Sequence, residues 1–345
     1  MITRNGLTVK LAKGANGHVL TWGQSGQGKT FFLCRKAEEY VNKGKKALIF
    51  DYSGSFSEKE LVEKKFKFLE QIHRYSVDEP HKLTWQMRVK KRQEFKKDVV
   101  DALLEVLDCG SYFQQDILES AIDRILDKQD SFNIPDIVKE LKTMLEEEAE
   151  EKIVGSKDNI GRLLTRLRPY KSVVNLRIKQ GITDKGEIAP ISIVDLSNLP
   201  EKQRKFLTKL LLSLLWREGF RQEVENRCDV ILLDEFQFLS VEEGSTLSCF
   251  LREGRKRGWE LVLSTQFIKN YSSGEKQVLQ QVANIVIFRP TPEDCRFSAK
   301  IIDIYNYKLW ETALMSLGRG EAVLKGNYHL GKSERVTTTP IIVRI

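Results

Sequence analysis

Three kinds of feature are missing from this chain of 345 residues, and each absence removes a class of protein. Its five cysteines, Cys34, Cys109, Cys228, Cys249 and Cys295, are odd in number, far apart and never in a C-x-x-C pair. That pattern argues against both a disulfide framework and a structural zinc site, and it suits a reducing cytoplasm. The amino terminus lacks the apolar core of a secretory signal, and the longest apolar run, around "LLLSLLW", falls well below the roughly 20 residues that cross a bilayer. No intrinsic membrane span is expected, so work at the periphery of a membrane would require a recruiting protein partner. Internal repeats and low-complexity linkers are also absent.

What remains is an ordinary globular composition, 41% hydrophobic and 30% charged, long enough for a substantial core. The 56 basic residues against 48 acidic ones leave a net charge of +8, which fits a polyanionic partner.

The densest chemical signal is "TWGQSGQGKT". Gly23, Gly26, Gly28, Lys29 and Thr30 satisfy G-x-x-x-x-G-K-[ST], in which glycines let successive backbone N–H groups turn inward around an anion. The whole loop, Gly23, Gln24, Ser25, Gly26, Gln27 and Gly28 with Lys29 and Thr30, is expected to cradle a nucleotide polyphosphate. Lys29 would reach the β- and γ-phosphates, Thr30 would place its hydroxyl on Mg²⁺, and the following helix would aim its positive end at the same charge. "HVLTW" before the loop reads as a strand, and Phe31 to Val41 carries helical spacing that stops near Gly44.

Alternation of strands and helices sets the fold. "KALIFDYSG", "ISIVDLS" (191–197), "DVILLDE", "WELVLSTQ" and "NIVIFRP" read as buried strands, with helices predicted over about 202–224 and 241–257. That order implies an α/β fold with a mostly parallel sheet and helices on both faces. Between about Ser53 and Gly186 the periodicity is mainly helical, which predicts an inserted all-α subdomain over 53–186 within a discontinuous α/β domain of 1–52 and 187–345.

"VILLDE" ends a strand in two carboxylates at the edge where doubly wound sheets bind ligands. Asp234 is expected in the Mg²⁺ shell and Glu235 as the group that polarises an attacking water. The strand "WELVLSTQ" ends at Gln266, an amide suited to sensing the γ-phosphate or orienting water. Arg252, Arg255, Lys256 and Arg257 crowd the end of the preceding helix, more cations than its dipole needs.

In that order, "GQSGQGKT", "LIFDYSG", "SIVDLSNLP", "VILLDEFQFL", "LREGRKRGWELVLSTQ", "NIVIFRPTPEDCR" and "LGRGEAVL" resemble the HerA/FtsK superfamily of P-loop translocases, which includes conjugative coupling and type IV secretion ATPases. The resemblance covers 5–50 and 190–330. It implies a RecA-like ATPase using ATP and Mg²⁺, assembled as a homo-hexamer and pumping duplex DNA without sequence reading, or serving protein secretion. It also implies catalytic roles for Glu235, Gln266 and Arg255, the last as a finger acting on a neighbouring subunit, with Arg252, Arg257 and Arg289 as substitutes. The chain begins almost directly at "GLTVKLAKGANGHVLTWG", so the amino-terminal β-barrel and membrane anchor of some relatives are not expected, nor is the winged-helix tail of others.

Two functions stand at this point: a DNA-translocating ring motor, and a nucleotide-switched scaffold for a secretion channel or defence complex that docks through the helical insertion. A metabolic P-loop kinase fits less well, given the long spacing to the acidic strand. An ABC-type ATPase fits less well still, because no L-S-G-G-Q-like segment lies upstream of "VILLDE".

Overall fold

The computed structural model describes residues 1–12, 17–76, 84–89, 92–151, 156–170, 175–180, 189–219 and 228–345. By packing they divide into two units, Met1–Arg74 with Ile188–Ser197 and Arg227–Ile345, and Tyr75–Glu187 with Asn198–Asn226.

The first unit is built on a sheet of ten strands. Edge to edge their order is Ile2–Thr3, Ile341–Arg344, Glu321–Lys325, Asn284–Phe288, Val19–Trp22, Glu260–Thr265, Val230–Leu233, Ala47–Asp51, Ile191–Asp195 and Ile72–Ser76. The run from Asn284–Phe288 to Ile191–Asp195 is parallel throughout. Glu321–Lys325, Ile341–Arg344 and Ile2–Thr3 extend it antiparallel. Every residue of Val19–Trp22, Ala47–Asp51, Val230–Leu233 and Asn284–Phe288 is buried, as expected when a strand has both faces covered.

Helices do cover both faces. On one, Phe32, Leu33, Ala37 and Tyr40 of the helix Lys29–Val41 join Val19, Ile49, Ile193, Leu232 and Val262 in a single core. On the other, Leu20, Trp22 and Ile285 meet Leu279 of the helix Ser273–Leu279 and Phe297 and Ile301 of Pro292–Ile302. There the Trp22 indole donates to Ser298 Oγ at 2.8 Å. Because the strands run parallel and in register, with Leu232 opposite both Ile49 and Val262, their carboxyl ends deliver Gly23, Asp51, Asp234 and Gln266 to the same edge.

In the second unit the helices Arg92–Val106, Tyr112–Leu126, Ile134–Glu151, Ser156–Leu167 and Glu201–Glu218 occur with a sheet of three strands, Thr84–Val89, Asn175–Gln180 and Ser131–Asn133. The expectation of an all-α insertion is corrected by that sheet. Its strands are short, and "TWQMRV" and "NLRIKQ" alternate apolar with polar residues, a period-2 signal submerged between much longer helical runs.

The units also depart from the expected boundaries. Residues 53–74 pack with the first unit, where Phe56, Leu61 and Phe66 enter the sheet's core. Helix Glu201–Glu218, expected as a crossover on that sheet, packs in the second unit instead. There Ser213 donates to Glu105 at 2.7 Å, Arg217 pairs with Asp101 at 3.1 Å, and Phe206 stacks on Tyr170 at 3.9 Å between ring centres. The expected boundary at 186–187 and the helix end over 220–224 lie outside the described residues. The helix expected over 241–257 is an α-helix over Thr246–Glu253, followed by a 3₁₀ turn, Gly254–Arg257, that stops at Gly258 with φ 76°.

Candidate active site

The loop from Gly23 to Gly28 is shaped by backbone angles that side chains resist. Gly23 has φ 147°, and a Cβ there would lie 2.7 Å from Phe288 Cβ; Gly28, with φ 114°, passes the chain into helix Lys29–Val41. Two neighbouring segments hold the loop by backbone bonds. The Gln24 N–H donates to the Arg289 carbonyl at 2.9 Å, and the Gly320 N–H donates to the Gln27 carbonyl at 2.9 Å. Ser25 and Gly26, at the crown, are exposed.

Lys29 is buried, and its ammonium donates to the Gly23 and Gln24 carbonyls at 2.8 and 3.0 Å. Burial lowers its pKa, while the nearby Glu235 and Asp234 carboxylates oppose that shift.

Asp234 follows the strand Val230–Leu233 and is 1% exposed. Two hydroxyls converge on one of its oxygens: Thr30 Oγ1 and Ser53 Oγ each lie 3.5 Å from Asp234 Oδ2. The other oxygen is buried and outside the bonding geometry of any donor among the described residues, and the Ser264 side chain lies near the carboxylate. Burial, then repulsion from Glu235 and Asp51, pushes Asp234 up to about 7. Ser53 is placed by Asp51, whose carboxylate accepts the N–H groups of Ser53, Ser55 and Phe56 at 3.2, 3.1 and 2.9 Å and so closes the turn after its strand. A buried carboxylate facing two hydroxyls is an all-oxygen set suited to Mg²⁺.

Glu235 occupies the left-handed region with φ 58°, a conformation that costs a non-glycine residue about 1–3 kcal/mol and redirects its side chain out of the strand's alternation. Its Oε1 accepts from Gln266 Nε2 at 2.9 Å and its Oε2 from Gln237 Nε2 at 2.6 Å. Gln237 in turn accepts from Thr265 Oγ1 at 2.9 Å.

Lys29, Thr30, Asp234, Glu235 and Gln266 therefore stand together. Arg255 does not join them. It is exposed in the turn before the strand Glu260–Thr265, and the site lies beyond that strand's far end, about 20 Å away at the usual rise per residue. Arg252 pairs with Glu243 at 2.7 Å, and Arg289 meets the phosphate loop through its backbone carbonyl. Sequence reasoning missed Ser53, Gln237 and Gly320 as parts of the site. All three sit inside the quoted motifs "LIFDYSG", "VILLDEFQFL" and "LGRGEAVL", so the signal was their proximity to named residues.

A RecA-like sheet with this loop and this acidic strand end defines a P-loop ATPase. The family model described as the central domain of helicase HerA matches residues 1–215, and the chain belongs to that family. Among solved structures, VirB4 of Thermoanaerobacter pseudethanolicus is similar at 16% identity with a TM-score of 0.64, over 100% of this chain and 94% of that one. The plasmid coupling protein TrwB in complex with ADP and Mg²⁺ is similar at 14% identity with a TM-score of 0.64, over 95% and 86% of the two chains. TrwB with the ATP analogue ADPNP gives 13% and 0.63 over the same shares. At these identities the likeness is one of fold. No curated protein matches the sequence.

Proposed function

We propose that this protein is an ATP-hydrolysing ring motor that moves double-stranded DNA. The observation that carries the reading is the meeting of Lys29, Thr30, Asp234, Glu235 and Gln266 at one sheet edge, a complete set for phosphate binding, metal binding and water activation. The helicase family to which the chain belongs, the coupling-protein likeness and the net charge of +8 support DNA as the polymer.

On this reading ATP enters over the exposed crown at Ser25 and Gly26, and Lys29 exchanges the Gly23 and Gln24 carbonyls for phosphate oxygens. Thr30 and Asp234 would hold Mg²⁺, partly through water, with Ser53 alongside. When bound, the ion neutralises charge that builds on the phosphoryl oxygens. Glu235 accepts the proton of the attacking water, and Gln266, already on that carboxylate, senses the γ-phosphate. Arg255 lies too far from its own site to act there, so its role requires a second copy of the chain, as in a homo-hexamer.

The test is ATPase rate with duplex DNA, single-stranded DNA and no polymer, with oligomer mass measured in the same buffer. Stimulation by duplex that falls steeply with salt is expected. Turnover indifferent to both polymers would overturn the motor and assign the site to a nucleotide-switched scaffold, cytoplasmic or brought to a membrane by a partner.

A further inference from the structure

Both oxygens of the Glu235 carboxylate are held, by two amides that differ in what holds them. Gln266 Nε2 bonds Oε1 at 2.9 Å and Gln237 Nε2 bonds Oε2 at 2.6 Å. An ionised carboxylate only accepts hydrogen bonds, so the Gln237 amide must turn its NH₂ toward Glu235 and its carbonyl away. That carbonyl meets Thr265 Oγ1 at 2.9 Å, where the hydroxyl is the donor and shares its one proton with the Phe267 carbonyl at 3.1 Å. The bonds thus run in one direction, from the Thr265 O–H to Gln237 and from the Gln237 N–H to Glu235.

The start of this relay is rigid. Thr265 is fully buried, ends the strand Glu260–Thr265 and lies in register opposite Trp22, the last residue before the phosphate loop. Glu235 itself stands in a turn, with a long side chain and a strained backbone. A base that must meet a water within a fraction of an ångström needs its rotamer fixed from outside. Gln266 cannot supply this throughout the cycle if it turns to the γ-phosphate.

We propose that Gln237 is the positioning residue for the catalytic base, holding Glu235 through a hydrogen-bond relay anchored at Thr265. This rests on the reading of Glu235 as the base. Gln237 acts through its hydrogen bond to Glu235.

The experiment compares kcat and KM for ATP, with nucleotide affinity measured separately by a fluorescent ATP analogue. Gln237→Ala is expected to lower kcat about 10- to 100-fold while KM and affinity change less than about twofold. Thr265→Val, which removes only the hydroxyl, is expected to lower kcat similarly, and Thr265→Ser to recover most of the loss. The double variant should fall little below either single one, because the two act as a unit. Unchanged kcat in Gln237→Ala, or a loss confined to affinity, would overturn the relay. Glu235→Gln runs in parallel: if it still turns over, the base reading fails and takes the relay with it, whereas an inactive Glu235→Gln beside a fully active Gln237→Ala condemns the relay alone.

Discussion

Thr30 and Asp234 are 204 positions apart in sequence, and Thr30 Oγ1 lies 3.5 Å from Asp234 Oδ2. The strands that lead into them, Val19–Trp22 and Val230–Leu233, are not neighbours. Glu260–Thr265 lies between Val19–Trp22 and Val230–Leu233, so the contact depends on three strands ending at one edge. That intervening strand also brings Thr265 and Gln266, which makes it as much a part of the site as the two it separates.

Substitutions at the two ends of the site should therefore separate binding from chemistry. Lys29→Ala removes the buried ammonium and is expected to abolish productive nucleotide binding. Glu235→Gln keeps the shape and is expected to bind ATP normally while turnover falls by about 10²–10⁴. Equilibrium binding and single-turnover hydrolysis on both variants check this.

A finger acting between subunits predicts complementation. Arg255→Ala and Glu235→Gln are each expected to be nearly inactive, and rings mixed from the two should recover some hydrolysis at interfaces that pair an intact Arg255 with an intact Glu235. In systems where such a finger operates it is worth about 10³–10⁵ in rate. Mixed rings, verified by mass, that stay inactive would remove Arg255 from the role.

His18 predicts acid sensitivity below neutrality. Its Nδ1 accepts the Leu261 N–H at 3.0 Å, and burial pushes its pKa down to about 4 from an ordinary 6.5. The unfolded chain therefore binds a proton that the folded one refuses, and stability falls as pH drops from about 6.5 to about 4. His18→Asn keeps an acceptor that does not titrate, so its melting temperature should fall less over that window than that of the unaltered protein.

Glu321 makes the complementary prediction. It accepts from Arg4 at 3.1 and 2.7 Å, from Arg344 at 3.2 Å and from the Gly318 N–H at 3.1 Å. These partners, Arg4 foremost, hold its carboxyl down at about 2. The resulting stabilisation is present above about 4.5 and disappears as pH falls toward 2. Glu321→Gln is expected to lower the melting temperature at pH 7, with the gap narrowing below pH 4.5. Nucleotide affinity should weaken too, because the Gly318–Gly320 turn that Glu321 braces is seated on Gln27.

Local signals carried most of this site. The loop glycines, Lys29 and Thr30 form a contiguous pattern, and the strand ending in Asp234 and Glu235 is a run of side chains that only a covered strand tolerates. Gly320 and Ser53 were harder to read because their roles come from register across the sheet, which no local window contains. Gln237 was hidden by its neighbours Phe236 and Phe238, which make the segment look like core. Helix Glu201–Glu218 shows the same limit: its apolar face is plain in the sequence, but nothing local says whether a sheet or another helix will cover it.

The chain passes between its two units four times, at 74–75, 187–188, 197–198 and 226–227. An excision that removes only 75–187 would orphan the helix Glu201–Glu218, taking away Tyr170 from Phe206, Glu105 from Ser213 and Asp101 from Arg217 and inviting aggregation. A minimal ATPase calls for two splices rather than one, and because Ile191–Asp195 and Val230–Leu233 run parallel, the linker replacing 198–226 must cross back over the sheet in about a dozen residues or more.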